Sequence, residues 1–242
     1  MTTFANGIAI VAGGSRGIGR AVAQRLARDG VSIAVSYREN ERSARELVEQ
    51  IAAGGGRAIS VRADISREDD VRNLFDETER ELGVPTIVIT LAGSFLSKPF
   101  AESSGADFES AMAVNAKGTF LVFAEAARRL RQGGRIIGCS SSLVVQGRPG
   151  LGLYCGGKAI VEQFVKILAK ELGPQQITVN AVAPGPTDTD LLSEAGRRTA
   201  PDMTPLGRIG APMEIAEVVA FLASKEAGWI TGQTVGVNGG IV

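Results

Sequence analysis

Histidine is absent from this 242-residue chain, and cysteine occurs only twice, at Cys139 and Cys155. Without an imidazole, Ser-His-Asp and Cys-His catalysis are excluded, and a catalytic zinc site loses its commonest ligand, so no metal is expected. Two cysteines are too few for a disulfide framework and point to a reducing compartment. Neither sign of charge is in excess, with 26 basic and 26 acidic residues, so nothing marks a nucleic-acid or membrane-surface partner. No run approaches the ~18 apolar residues of a bilayer span. The segment Met1 to Gly7 lacks a charged region followed by an apolar one, so no signal peptide is expected. These absences leave a cytoplasmic globular protein.

The chain is rich in apolar residues (44%) and in glycine (31 residues). Short β-branched runs recur along it: Ile8–Val11, Ile33–Val35, Ile59–Val61, Ile87–Leu91, Arg135–Cys139, Ile177–Val182 and Thr234–Val237. They are nearly continuous in apolar character, as strands buried on both faces must be. Helical spacing separates them, as in Ala44, Leu47, Val48 and Ile51, or Val161, Phe164, Val165, Leu168 and Leu172. Strands alternating with helices require right-handed crossovers and a parallel sheet. The expectation is α/β: one doubly wound Rossmann domain over residues 1–242, with about seven strands and helices on both faces. A stretch of irregular character with five prolines, from Pro184 to Pro212, lies after a strand's carboxyl end, where ligands bind in such sheets. It is read as a substrate lid over about 186–212.

The first strand runs into Gly13-Gly14-Ser15-Arg16-Gly17-Ile18-Gly19. Glycines in a strand-to-helix turn let a pyrophosphate approach the free N–H groups at the helix amino terminus. The spacing is G-x-x-x-G-x-G rather than the commoner G-x-G-x-x-G, and a glycine cluster alone is also what surface turns collect. The second strand ends Ser36-Tyr37-Arg38 and offers no acid before Glu39. A carboxylate there would take ribose hydroxyls, whereas a guanidinium takes a 2′-phosphate, so Arg38 with Arg16 favours NADPH/NADP+. The plainer alternative is that both arginines are solvated surface charge.

Tyr154 and Lys158 stand four residues apart and so share one helix face, and Ser141 lies thirteen residues before the tyrosine. A phenol near its ordinary pKa of about 10 gives up its proton poorly at neutral pH. A nearby ammonium, together with an oxidised nicotinamide, is expected to lower that value and make Tyr154 a general acid for carbonyl reduction. Taken alone, Ser140–Ser142 would be turn formers, Asn115 a helix-interrupting polar group, and Cys155 a packing residue.

Together, the glycine turn and Tyr154-x-x-x-Lys158 resemble the short-chain dehydrogenase/reductase family, and the resemblance covers essentially the full chain. It implies that Ser141, Tyr154, Lys158 and Asn115 are catalytic, with Asn115 placing a relay water beside the lysine. It also implies cofactor contacts from Gly13, Ser15, Arg16, Gly17, Ile18, Gly19, Tyr37 and Arg38, then from Ala63, Asp64, Ile65, Ala92 and Gly93. Pro184, Gly185, Thr187 and Thr189 follow at the nicotinamide, beside Tyr154 and Lys158. Three positions depart from the family pattern: Ala12 for threonine, Thr90-Leu91 for a pair of asparagines, and Asn238 for aspartate. The substrate is expected to be a small, apolar carbonyl compound meeting Ser141, Leu143, Tyr154, Leu191 and Leu192. Val144, Val145, Leu151, Leu153 and Met203 add to the apolar pocket.

The family's habit implies a homotetramer through helices near 107–131 and 150–173. Two alternatives stay open: a 3-oxoacyl-[acyl-carrier-protein] reductase, and an inactive NADPH-binding regulatory protein that kept only the fold. The first would use arginines where this chain has Gln132 and Gln175, although Arg128, Arg129 and Arg131 lie close by.

Overall fold

The apolar runs form strands because each is buried on two sides, and the sheet they build fixes everything else. The computed structural model describes residues 7–242, so Met1–Asn6, on which the signal-peptide expectation rests, lie outside the described residues. The strands are β1 (Ile8–Ala12), β2 (Ser32–Tyr37), β3 (Ala58–Arg62), β4 (Ile87–Thr90), β5 (Arg135–Cys139), β6 (Thr178–Pro184) and β7 (Thr234–Val237). They join in one seven-stranded sheet in the order β3-β2-β1-β4-β5-β6-β7, every pair parallel. Observed ends differ from the expected ones by one or two residues, as at β6, which continues through Pro184.

The helices are α1 (Gly17–Arg28), α2 (Glu41–Ala53), α3 (Glu68–Glu81), α4 (Gly105–Met112), α5 (Thr119–Arg129), α6 (Leu143–Gln146), α7 (Gly152–Leu172), α8 (Glu194–Met203) and α9 (Pro212–Ala223). Successive residues of β1 serve opposite faces. Ala9 and Val11 join a core with Leu26 of α1, Leu47 of α2 and Val219 of α9, while Ile10 and Ala12 join one with Phe75 of α3, Val122 of α5 and Val165 of α7. Two such cores, one per face, are why the strand sequences show no polar alternation. Among the described residues, no helix is long and apolar enough to cross a membrane.

Two local features shape the ligand-facing edge of the sheet. A π-helical stretch, Ala113–Gly118, joins α4 to α5, widening the helix at Asn115; such π turns recur at functional sites. The segment after β6 is not irregular as expected. Ser193 caps the ten-residue α8 through its hydroxyl, which accepts from the Gly196 N–H at 3.1 Å. The prolines mislead here, because Pro201 falls inside the helix rather than ending it.

The two-core packing makes a stability prediction. Leu26 is fully buried between α1, the sheet and α9. Leu26→Ala is expected to lower the unfolding free energy by about 2–5 kcal/mol. Val145→Ala, at a largely exposed position, should cost well under half of that in the same urea titration.

Candidate active site

Parallel strands end together, and the polar residues that cannot sit within the buried sheet gather at their carboxyl ends. The glycine turn follows β1. Gly13 has φ of 81°, and a Cβ there would lie 2.7 Å from the Ala92 nitrogen; at Gly19 a Cβ would run into the Gly13 carbonyl oxygen. Only glycine allows this turn to lie so close to the β4 end and still open α1. The Gly13 N–H donates to the Ser36 hydroxyl of β2 at 3.0 Å, so a serine supports the turn where Ala12 has no hydroxyl to offer.

A cavity of about 470 Å³ opens over this turn. Gly13, Ser15, Arg16, Gly17, Ile18 and Gly19 form one wall, and Tyr37, Arg38, Ala63, Asp64 and Ile65 the far end. Ala92, Gly93 and Thr189 close it toward the sheet centre. Burial alone would raise the Asp64 pKa, but hydrogen bonds from the Ser66 hydroxyl and N–H hold it below the usual carboxylate value. Asp64 therefore stays an acceptor; both Ser66 bonds go to Oδ1, and Oδ2 takes none among the described residues.

Arg38, which the sequence offers to a 2′-phosphate, is paired with the next residue in the chain. Its Nε and Nη2 both donate to Glu39 Oε1, at 3.0 and 2.7 Å, and both side chains are largely exposed. Arg16 is exposed on the opposite rim.

Ile18, Leu91, Gly93, Ser94, Phe95, Thr189 and Leu191 line both this cavity and a second one of about 300 Å³, making one continuous cleft. Ser141, Tyr154 and Lys158 all face the second cavity, as do Pro184, Gly185 and Thr187. Leu143, Leu151, Leu191, Leu192 and Met203 supply apolar wall. Val144, Val145 and Leu153 do not line it. Val145 is largely exposed on α6, and Leu153, in the first turn of α7, packs inward.

Lys158 is buried, and its Nζ donates to the Cys139 carbonyl at 3.0 Å. A Cβ on Gly93 would stand 3.1 Å from both that Nζ and Asn115 Oδ1, so Gly93 keeps the space between them. Asn115 is fully buried behind the cleft rather than on its wall. Its Oδ1 accepts from the Ser94 N–H at 3.1 Å, and its Nδ2 donates to the Ser94 carbonyl at 2.9 Å. The loss of the family's paired asparagines shows in the Thr90 hydroxyl, which is buried without a partner among the described residues.

In the protein alone the phenol is held the other way from what is expected beside an oxidised nicotinamide. Burial pushes Tyr154 up to about 12, the neighbouring Cys139 thiol adds to this, and the Ser141 hydroxyl works the other way. The Tyr154 ring also packs on Phe95, centroids 5.0 Å apart and tilted by 59°. Sequence reading missed Ser94, Phe95, Gln146 and Arg148 on these walls. Adjacency to Gly93 at the end of β4 was a usable sign for the first two; Gln146 ends the single turn of α6 and Arg148 lies on the loop after it, too short a stretch to show a periodicity.

Known proteins resemble this chain over almost its whole length. A family model described as "Enoyl-(Acyl carrier protein) reductase" matches residues 12–242. Versicolorin reductase stcU of Emericella nidulans is 37% identical over 96% of this chain and 94% of its own. A short chain dehydrogenase from Burkholderia cenocepacia, solved in complex with NADP, is 34% identical with a TM-score of 0.94, covering 98% of each chain. The angucycline C-6 ketoreductase LanV, solved with bound NADP, is 36% identical with a TM-score of 0.94, covering 99% of this chain and 97% of its own.

The raised phenol has a measurable consequence. With only Tyr37 and Tyr154 in the chain, ultraviolet titration resolves them by difference. At about pH 10, where a free phenol is half ionised, wild type and Tyr154→Phe should show equal tyrosinate absorbance; half a phenolate more in wild type would contradict the burial argument. Because the fold disfavours the phenolate, this group's contribution to stability is intact below about pH 10 and is lost as pH climbs toward about 12.

Proposed function

The chain belongs to the short-chain dehydrogenase/reductase family, and we propose that it uses NADPH to reduce a ketone or aldehyde of a small molecule to an alcohol. The observation that carries this reading is the convergence of Ser141, Tyr154 and Lys158 on one cavity that runs unbroken into the glycine cradle. The cradle fits a dinucleotide, since Gly13, Ser15, Arg16, Gly17, Ile18 and Gly19 line its cavity at the amino terminus of α1, where free N–H groups favour a pyrophosphate. Gly13 to Gly19 would hold the pyrophosphate, Asp64 the adenine, and Arg16 and Arg38 the 2′-phosphate. Thr187, Thr189 and Lys158 would hold the nicotinamide end. Bound there, NADPH supplies the hydride and, once oxidised, a positive ring.

Tyr154 donates its phenol proton to the developing alkoxide, and the raised pKa keeps that proton in place through the physiological range. Ser141 holds the carbonyl oxygen beside the phenol. Lys158, at the Cys139 carbonyl, becomes free to favour the phenolate, and Asn115, braced on Ser94, positions a relay water beside it. The exposed Arg38–Glu39 pair is worth only ~0.2–1 kcal/mol, so a phosphate displaces Glu39 readily.

Segment 186–212 acts as a lid, since α8 places Thr199, Ala200 and Met203 on the cavity. The substrate body is apolar, to suit Phe95, Leu143, Leu151 and Leu192. A free ketone is favoured over a carrier-bound acyl group because Arg128 and Arg129 are tied to Glu125, and Arg129 also to Asp76, rather than offered to an acidic partner. Half-exposed Phe108, Phe120 and Ile167 on α4, α5 and α7 support a homotetramer, and the two free thiols suit the cytoplasm.

Tyr154→Phe keeps the ring packing and removes the proton. Ketone-dependent NADPH oxidation is expected to fall by about 10²–10⁴-fold, with NADPH affinity retained; near-wild-type turnover would end the assignment. Lys158→Met should lose cofactor affinity as well as rate.

For the nucleotide, Arg38→Asp is expected to weaken NADPH binding about tenfold or more while improving NADH. Fluorescence titration of the two cofactors reads this, and equal efficiency with both in the parent enzyme would remove the NADPH preference.

A further inference from the structure

Among the described residues, the cavity beside Tyr154 bears two cationic side chains, Lys158 and Arg148, and no carboxylate on its walls. Lys158 is accounted for by its place behind the tyrosine. Arg148 is not. It sits half-buried in the loop between α6 and α7. Its Nε donates to Gln146 Oε1 at 2.8 Å, and Gln146 Nε2 donates in turn to the Ser142 hydroxyl at 3.1 Å. One terminal nitrogen, Nη2, approaches the Met203 sulfur of α8 at 3.3 Å, and a thioether is a weak acceptor.

A guanidinium carries five N–H donors, so most of those on Arg148 remain unclaimed. Among the described residues it makes no ion pair. Surface arginines are of both kinds, Arg42 and Arg208 each bridged to a glutamate and Arg28 and Arg131 in no ion pair among the described residues, but those stand in water, whereas Arg148 is half-buried on the cavity wall. Inside the cavity, the chain orients one arginine through Gln146 and leaves its fork open.

From this we propose that Arg148 determines substrate specificity by receiving a planar oxyanion, a carboxylate or an ionised enol or phenol, carried by the substrate away from its reacting carbonyl. The inference rests on the ketone-reduction reading and narrows its substrate class. A fork held by Gln146 matches two oxygens, or one oxygen approached by two donors, with little side-chain entropy left to lose. The apolar walls reduce competition from water, which strengthens the attraction. A wholly apolar substrate would instead press its body against unsatisfied donors, at a desolvation cost. The substrate thus has an apolar middle, a carbonyl at the Ser141–Tyr154 end and an oxyanion at the Arg148 end.

The test compares 3- and 4-acetylbenzoate with their methyl esters, which replace the charge at one end by a methyl group. In wild type, kcat/KM should favour at least one carboxylate over its ester by about tenfold. In Arg148→Met that ratio should collapse toward one, and in Arg148→Lys part of it should survive, because a point charge remains without the fork.

Calorimetric binding of the non-reducible 4-isopropylbenzoate and its methyl ester to the protein alone gives a second readout. The acid should bind about tenfold more tightly in wild type, and Arg148→Met should erase the difference. Thermal melts of the variants show that they are folded. Reduction of the neutral esters with no preference for either acid, or a preference that survives in Arg148→Met, would overturn the assignment of Arg148. If no ketone consumes NADPH, the function reading has failed, and the binding difference still decides whether Arg148 receives an oxyanion.

Discussion

Burial of one parallel sheet on both of its faces is the constraint on which the rest of this molecule depends. Each strand interior must be apolar or, as at Asn180 of β6, have its polar atoms paired, since an unpaired polar group between two packed layers costs several kcal/mol. Residues such as Val11, Ile89 and Ile137 fill these positions without exposure to water. Polar and charged side chains are thereby driven to the strand ends, and in a parallel sheet those ends lie on one edge. Ser141 follows β5, Gly13 follows β1, Gly93 follows β4 and Thr187 follows β6. The cleft is a product of the same packing that makes the fold stable.

Small substitutions around that edge are absorbed by local hydrogen bonding. Ala12 brings no hydroxyl to the glycine turn, and Ser36 supplies one from the next strand. Thr90 is less well accommodated, its hydroxyl buried without a partner among the described residues. Asn238 closes its own turn by accepting from the Gly240 N–H at 3.1 Å, and its backbone lies so near Gly185 that a side chain there would collide. The π turn at Asn115 belongs with these adjustments. It carries a buried amide to the Ser94 backbone, where both of its polar ends find partners.

Electrostatics in the cleft follow from how little water reaches it. A buried phenol resists ionisation, so Tyr154 is a proton reservoir rather than a ready base in the protein alone. The buried Lys158 ammonium is tied to a backbone carbonyl rather than to an acid. A positive charge placed in the adjoining cradle is what would shift the phenol toward ionisation, which links the chemistry to occupancy of the nucleotide site. Arg148, oriented by Gln146 at the other end of the cavity, completes a wall whose charge is of one sign.

The sequence by itself determined the doubly wound class, because two-sided burial leaves a continuous apolar signature in each strand and a 3.6-residue one in each helix. It also determined the glycine turn and the Tyr154–Lys158 face, since these are short-range patterns whose geometry is set by the turn and by the helix repeat. Tertiary structure decided what depends on residues far apart in the chain. It set Phe95 against Tyr154, brought Met203 of α8 to Arg148, and turned Val144, Val145 and Leu153 away from the cavity. It also decided the state of the phenol, because burial depends on every layer packed around Tyr154 and no local spacing records it.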